Sequence, residues 1–199
     1  MARLTFYYGA MNAGKSLTLL AFAAKLRNKD IPYEVVKPST DTRDGSFISS
    51  RPLDEKLRCY LWRPDASTLE ELLSPIKMET TKYVLVDEAQ FLTVEQVNYL
   101  AHLVDRLDIN VICYGLRTDF QTHLFEGSKR LFEIADELHE IEDIDAAGDK
   151  VIINARIKNG RLVVAGPRVV VGAEDKYLSM SRKEFYDRLS DQNQRQNDI

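Results

Sequence analysis

Residues Gly9-Ala10-Met11-Asn12-Ala13-Gly14-Lys15-Ser16 read G-x-x-x-x-G-K-S. They stand between an apolar strand signal, Leu4 to Tyr8, and a helix signal, Leu17 to Lys25. Strand, glycine-rich loop and helix in that order make a phosphate cradle, the P-loop. Backbone N–H groups must turn inward to hold a polyphosphate, and Gly9 and Gly14 give the backbone that freedom. Lys15 supplies a point charge for the β- and γ-phosphates, and the Ser16 hydroxyl is a ligand for Mg²⁺. The N-terminus of the following helix adds its dipole to the same anion.

The rest of the chain fits a single sheet built around that loop. Tyr33 to Lys37 is a second strand, stopped by Pro38, and Tyr83-Val84-Leu85-Val86 and Asn110 to Tyr114 are further apolar runs. Val94, Val97, Leu100, Ala101 and Val104 recur at helical spacing between Val94 and Leu107. A shorter helix is expected around Leu69 to Leu73, and the polar, punctuated stretch from Ser39 to Pro52 reads as a loop. Short apolar strands separated by helices imply an α/β fold, a P-loop-type parallel sheet with helices on both faces. Residues 1–140 are expected to form this ATP-binding unit. The pattern changes beyond. Val151 to Ile157 and Leu162 to Val164 flank Asn159-Gly160, a strong hairpin signal, and Val169 to Val171 and a helix from about Arg182 follow. Residues 141–190 therefore read as a small β-rich subdomain, and 191–199 as a polar tail expected to be disordered.

Composition narrows the classes. At 199 residues the chain has room for one sizeable core, and its formal charge of −4 shows no basic excess for nucleic acid. No apolar run approaches the roughly 20 residues of a membrane span, and no signal peptide is expected ahead of the first strand. Cys59 and Cys113 both fall in expected strands and read as buried small hydrophobes, not a disulfide, which points to a cytoplasmic address.

Asp87, at the carboxyl end of the Tyr83 to Val86 strand, read as a neighbouring parallel strand, would lie near Ser16 and hold Mg²⁺. Glu88 follows directly. A carboxylate one residue beyond a metal-binding Asp can take a proton from the oxygen that attacks the γ-phosphate. Attack by water makes an ATPase, and attack by a substrate hydroxyl makes a kinase. A nucleic-acid-dependent ATPase and a non-catalytic nucleotide-binding module are the competing readings. The first generally needs a second such sheet and a basic, aromatic-lined groove. The second has no use for Asp87 and Glu88. A small-molecule kinase fits better.

Taken together these blocks resemble the type II thymidine kinases, over nearly the whole chain. The residues that carry the likeness are Tyr8 to Ser16, Asp41-Thr42-Arg43, Asp87-Glu88-Ala89-Gln90-Phe91, Tyr114 to Phe120 with Leu124 to Ser128, and Val171-Gly172 with Glu174 and Tyr177. The resemblance implies that Glu88 is the base for the deoxyribose 5′-hydroxyl, with Arg43 close to the transferring phosphoryl, Asp41 beside it and Arg117 as a second cation. It places ATP against Gly9, Ala10, Met11, Asn12, Ala13, Gly14, Lys15, Ser16, Asp87, Glu88, Ala89 and Gln90, with Mg²⁺ on Ser16 and Asp87. Met11, Phe91, Leu116, Phe120 and Tyr177 would wall the thymine pocket. Backbone groups of Arg168, Val169, Val170, Val171 and Gly172 would read the base edge. Thymidine or deoxyuridine would be accepted, a homotetramer formed, and dTTP would inhibit by feedback. No nucleic-acid or membrane partner is implied.

Two departures stand out. The family's structural zinc is held by two Cys and a further Cys plus Cys or His, and those positions here are Asp145, Ala147, Ser181 and Glu184. Without thiolates, and with an alanine in the set, no structural zinc is expected. The usual glycine pair in the closing loop is Gly172-Ala173, and Ala tolerates positive φ poorly.

Overall fold

The structure is a computed structural model and describes residues 1–41, 45–50, 53–69, 73, 75–166 and 175–197. The chain enters β1 (Leu4–Gly9), crosses the P-loop into α1 (Lys15–Arg27), and returns in β2 (Tyr33–Pro38). A two-stranded antiparallel ribbon follows, β3 (Phe47–Ser50) and β4 (Leu53–Arg58), then β5 (Tyr60–Trp62) and α2 (Pro75–Thr80). Next come β6 (Tyr83–Val86), a 3₁₀ turn at Ala89–Phe91, α3 (Val94–Leu107), β7 (Asn110–Leu116), α4 (Glu126–Ile134) and β8 (Glu137–Glu140). The C-terminal part holds β9 (Val151–Lys158), β10 (Arg161–Leu162), β11 (Asp175–Ser181) and α5 (Arg182–Asn197).

The main sheet has six strands in the order β5-β2-β6-β7-β1-β8, and every pairing in it is parallel. Side chains alternate across it, as strand geometry requires. Phe6, Val84, Val86, Val111 and Cys113 pack with Val97, Leu100 and Leu103 of α3. Leu85, Ile112 and Tyr114 share the opposite layer with Leu19, Leu20, Ala23 and Leu26 of α1. A capping box fixes the start of α3: the Thr93 hydroxyl accepts from the Gln96 N–H, and the Gln96 side chain accepts from the Thr93 N–H. This α/β layout matches the fold class expected from the short apolar strands.

The smaller sheet is antiparallel, ordered β10-β9-β11. Its hairpin turns at Asn159 and Gly160, whose φ angles of 51° and 75° are the left-handed pair that Asn-Gly favours. One face carries Ile153, Ala155 and Met180 and buries them with Leu162 against Phe185 of α5.

Several elements differ from the sequence reading. Part of the stretch read as a loop from Ser39 to Pro52 is strand, because Phe47–Ser50 pairs with Leu53–Arg58 and buries Ile48 against the α1 layer. The tail read as disordered from residue 191 continues α5 to Asn197. Gln192 holds it down, donating from Nε2 to the Leu162 carbonyl and accepting from the Leu162 N–H. Cys59 lies between β4 and β5, not within a strand, though both cysteines are buried and free. Of the helix expected at Leu69 to Leu73, residues 70–72 lie outside the described residues, as do Arg43 and the 168–172 stretch.

Candidate active site

The P-loop leaves β1 at the carboxyl end of the sheet, where β6 and β7 end beside it. Gly9 has no left-handed φ; its role is space. A β-carbon there would meet the Ile141 carbonyl oxygen at 2.6 Å, so only glycine lets the chain leaving β8 pass. Gly14 supplies the left-handed step, with φ of 91°, that turns the loop into α1. Being glycine it has no side chain to cap the helix, and no acidic residue stands in the first turn. The first N–H groups of α1 are thus arranged as an anion site. Lys15 is buried, and its Nζ donates to the Ala10 carbonyl at 2.5 Å, folding the ammonium back over the loop.

Ser16 and Asp87 meet as the sequence implies. The Ser16 hydroxyl donates to the Asp87 carboxylate at 3.2 Å, joining α1 to the end of β6. Asp87 is 6% exposed. Burial, and then the Glu88 charge, push its carboxyl up to about 7, while Ser16 and Lys15 pull the other way. A buried carboxylate and a hydroxyl in contact at the foot of a phosphate loop are hard oxygen ligands of the kind Mg²⁺ takes alongside phosphate oxygens. The site fits that ion.

Glu88 stands in the left-handed region, φ 51°, and opens the 3₁₀ turn. That backbone conformation is rare for a side-chain-bearing residue and turns Glu88 out of the line of β6. Gln90 holds it there. The Gln90 amide is 1% exposed, donates to the Glu88 carboxylate, and accepts the Leu116 N–H at 2.9 Å. A single side chain therefore ties the candidate base to the end of β7. Gln90 is expected among the ATP contacts; here both ends of its amide are engaged within the protein. Ala89, expected there too, is fully buried in the main core.

The residues expected around a nucleoside have the following neighbours. Leu116 lies against Gln90, and Phe91 packs edge-on to Phe125 at 5.6 Å. Phe120 is 1% exposed and carries the Arg156 guanidinium over its ring at 5.3 Å. Arg156 pairs across the small sheet with Tyr177. Met11 is bound on both sides of its peptide, its N–H by Asn154 Oδ1 at 2.7 Å and its carbonyl by the Ser179 hydroxyl at 2.8 Å.

Three residues in this region were not singled out by motif. Asn154 and Ser179 join the small sheet to the P-loop. Lys37, 1% exposed, pairs with Asp41 at 3.2 Å and donates to the Phe47 carbonyl at 3.2 Å. It thereby fixes Asp41 at the entry to the segment that contains Arg43. A lysine at the end of an apolar strand and an asparagine inside Val151-Ile152-Ile153-Asn154-Ala155 were the available signals.

The positions where zinc ligands would fall have other roles. Asp145 Oδ1 accepts from the Ala147 and Asp149 N–H groups, both at 2.9 Å, and closes a turn. The Ser181 hydroxyl accepts from the Glu184 N–H at 3.3 Å, and Glu184 pairs with Arg188. A cavity between the hairpin tip and α5 is lined by Ile157, Arg161, Arg188 and Gln192.

The family model described as thymidine kinase matches residues 2–185. A thymidine kinase of Haemophilus influenzae (strain 86-028NP) is 40% identical over 186 residues, which is 93% of this chain and 96% of that protein. A thymidine kinase of Xanthomonas campestris pv. campestris (strain 8004) is 43% identical over 194 residues, covering 93% and 90%. One from Pasteurella multocida (strain Pm70) is 38% identical over 191 residues, covering 96% and 100%.

Proposed function

The chain belongs to the thymidine kinase family, and from that premise we propose that it transfers the γ-phosphate of ATP to the 5′-hydroxyl of thymidine or deoxyuridine, giving the monophosphate for nucleotide salvage. The observation that carries this reading is the junction at the sheet's carboxyl end. Ser16 touches Asp87, Glu88 follows in a turned-out conformation, and Gln90 links Glu88 to Leu116 at the apolar side.

In this reading the P-loop residues 9–16 hold the triphosphate, and Lys15 swings from the Ala10 carbonyl to the β- and γ-oxygens. Ser16 and Asp87 hold Mg²⁺, which when bound neutralises phosphate charge. Glu88 accepts the 5′-hydroxyl proton as the oxygen attacks in line. Arg43, with Asp41 beside it, and Arg117 contribute positive charge near the phosphoryl group. Met11, Phe91, Leu116, Phe120 and Tyr177 exclude water around the base, and main-chain groups at 168–172 read its edge. Residues 1–140 serve ATP and 141–190 close over the nucleoside. We extend the reading to a cytoplasmic homotetramer, inhibited by dTTP, without structural zinc. Supporting the last point, Asp145, Ser181 and Glu184 are engaged in turn, cap and ion pair, and Ala147 offers no ligand.

The test is a substrate panel. Purified protein with ATP and Mg²⁺ is offered thymidine, deoxyuridine, deoxycytidine, deoxyadenosine and deoxyguanosine, and products are identified by mass. The reading requires monophosphates of thymidine and deoxyuridine and rejection of deoxycytidine, whose edge leaves buried polar groups unpaired. Phosphorylation of deoxycytidine at a similar rate would contradict it.

A further inference from the structure

Residues two apart on a strand share a face, and directly paired residues on neighbouring strands stand side by side. Asn154 pairs with Ser179, and Arg156 with Tyr177, so these four side chains occupy one face of the small sheet. The opposite face holds Ile153, Ala155 and Met180 against α5. The four-residue face looks onto the main domain: Arg156 lies over Phe120, and the Asn154 Nδ2 donates to the Thr118 carbonyl at 3.1 Å.

Its other partner is the middle of the P-loop. The Asn154 Oδ1 takes the Met11 N–H at 2.7 Å, and the Ser179 hydroxyl reaches the Met11 carbonyl at 2.8 Å. Both polar groups of one loop peptide unit's residue are thus fixed by a single cross-strand pair. Asn154 is 3% exposed, so these bonds are made away from water, where losing one leaves a buried group unpaired. The next residue, Asn12, has φ of 64°, so the loop turns sharply straight after the clamped residue. Within the loop the Ala13 N–H closes the turn onto the Ala10 carbonyl at 3.4 Å, and the clamp adds two bonds to Met11 from outside it.

We propose that Asn154 and Ser179 form a latch through which the small sheet sets the P-loop in its phosphate-binding shape. They are positioning residues for the ATP half of the site, acting through the Met11 backbone. The latch gives the nucleoside side a route to the nucleotide side. Arg156 and Tyr177 are the latch pair's neighbours on the same strands, so a molecule that orders this face steadies Met11 as well. The direction of that coupling rests on the proposed kinase function; the clamp on the P-loop does not.

The experiment measures the affinity of the full-length protein for a non-hydrolysable ATP analogue with Mg²⁺, without nucleoside and with saturating thymidine. Ser179→Ala removes the donor to Met11, Ser179→Thr keeps a hydroxyl, and Asn154→Ala removes both amide contacts. Each lost hydrogen bond is expected to weaken analogue binding about fivefold, the scale of one net bond. Asn154→Ala should exceed Ser179→Ala, and Ser179→Thr should stay within about twofold of wild type, the same scale applied to a retained bond. Thymidine should tighten analogue binding in the wild type and much less in the alanine variants. Alanine variants that melt at lower temperature yet bind the analogue as the wild type does would overturn the latch, since only stability would then depend on it. Failure of the wild type to phosphorylate thymidine would overturn the kinase reading alone, because analogue affinity without nucleoside still decides the latch.

Discussion

Asp87 and Glu88 are adjacent carboxylates held in different surroundings, which suits them to the two roles proposed for them. Burial raises the Asp87 carboxyl to about 7, with Glu88 adding to the rise. Its folded value lies above the roughly 3.9 of an unfolded aspartate, so the folded protein holds that proton more tightly. The group's contribution to stability is therefore greatest below about pH 4 and is lost as pH climbs towards 7 in the protein without nucleotide. Binding of a divalent ion needs the ionised form. Affinity for the Mg²⁺-nucleotide analogue should then fall below about pH 7, approaching tenfold per pH unit, and Asp87→Asn should remove the slope. Titrating analogue affinity between pH 5.5 and 8.5 checks this; a flat wild-type profile would contradict it. At the neighbouring position, Glu88→Gln keeps the shape and removes the base. Turnover should drop about 10²- to 10⁴-fold while analogue affinity changes little. A variant with near-normal turnover would remove Glu88 from the chemistry.

Between residue and fold lies the 3₁₀ turn at Ala89–Phe91, the element that aims Glu88. It is packed from outside by α4: a β-carbon at Gly127 would sit 2.5 Å from the Ala89 carbonyl oxygen and 2.8 Å from that of Leu92. Those are backbone atoms that cannot step aside. Gly127→Ala should destabilise the protein by about 1–3 kcal/mol and lower kcat by displacing the turn. Calorimetry and kinetics on one preparation check it, and unchanged values in both would show that α4 does not brace the turn. The elements legible beforehand were those with a strong local signature. The P-loop, β6 with Asp87, α3 with its apolar stripe and the Asn159-Gly160 turn all carry their reasons in a few consecutive residues. The β3–β4 ribbon was not legible, because only Ile48 is deeply buried in β3, beside an exposed Phe47 and two serines. Strand β11 was missed for a similar reason. Serines alternate with Leu178 and Met180 there, and the pairing to β9 is long-range. Asn154 and Ser179 act on a residue more than a hundred positions away, so the local pattern, which marks only Asn154 as a polar residue in an apolar run, does not name their partner.

At the scale of the whole molecule, the small sheet stands on its own apolar face, its turn at Asp145 and its bonds to the P-loop. Metal is absent from that account. Chelator treatment should leave the melting temperature of nucleotide-free protein unchanged, and metal analysis of protein purified without added zinc should find none in stoichiometric amount. One equivalent of tightly held zinc would contradict it. Among the described residues no helix is long and apolar enough to cross a membrane. The small sheet thus meets the P-loop through Asn154 and Ser179, and Phe120 through Arg156, at the carboxyl end of the larger sheet. The most direct measurement of what that arrangement does is phosphorus NMR of the protein mixed with ATP, Mg²⁺ and thymidine. The account predicts a thymidine monophosphate signal growing one for one with ADP, and no release of inorganic phosphate to match. ADP and inorganic phosphate rising together, with thymidine left untouched, would contradict it.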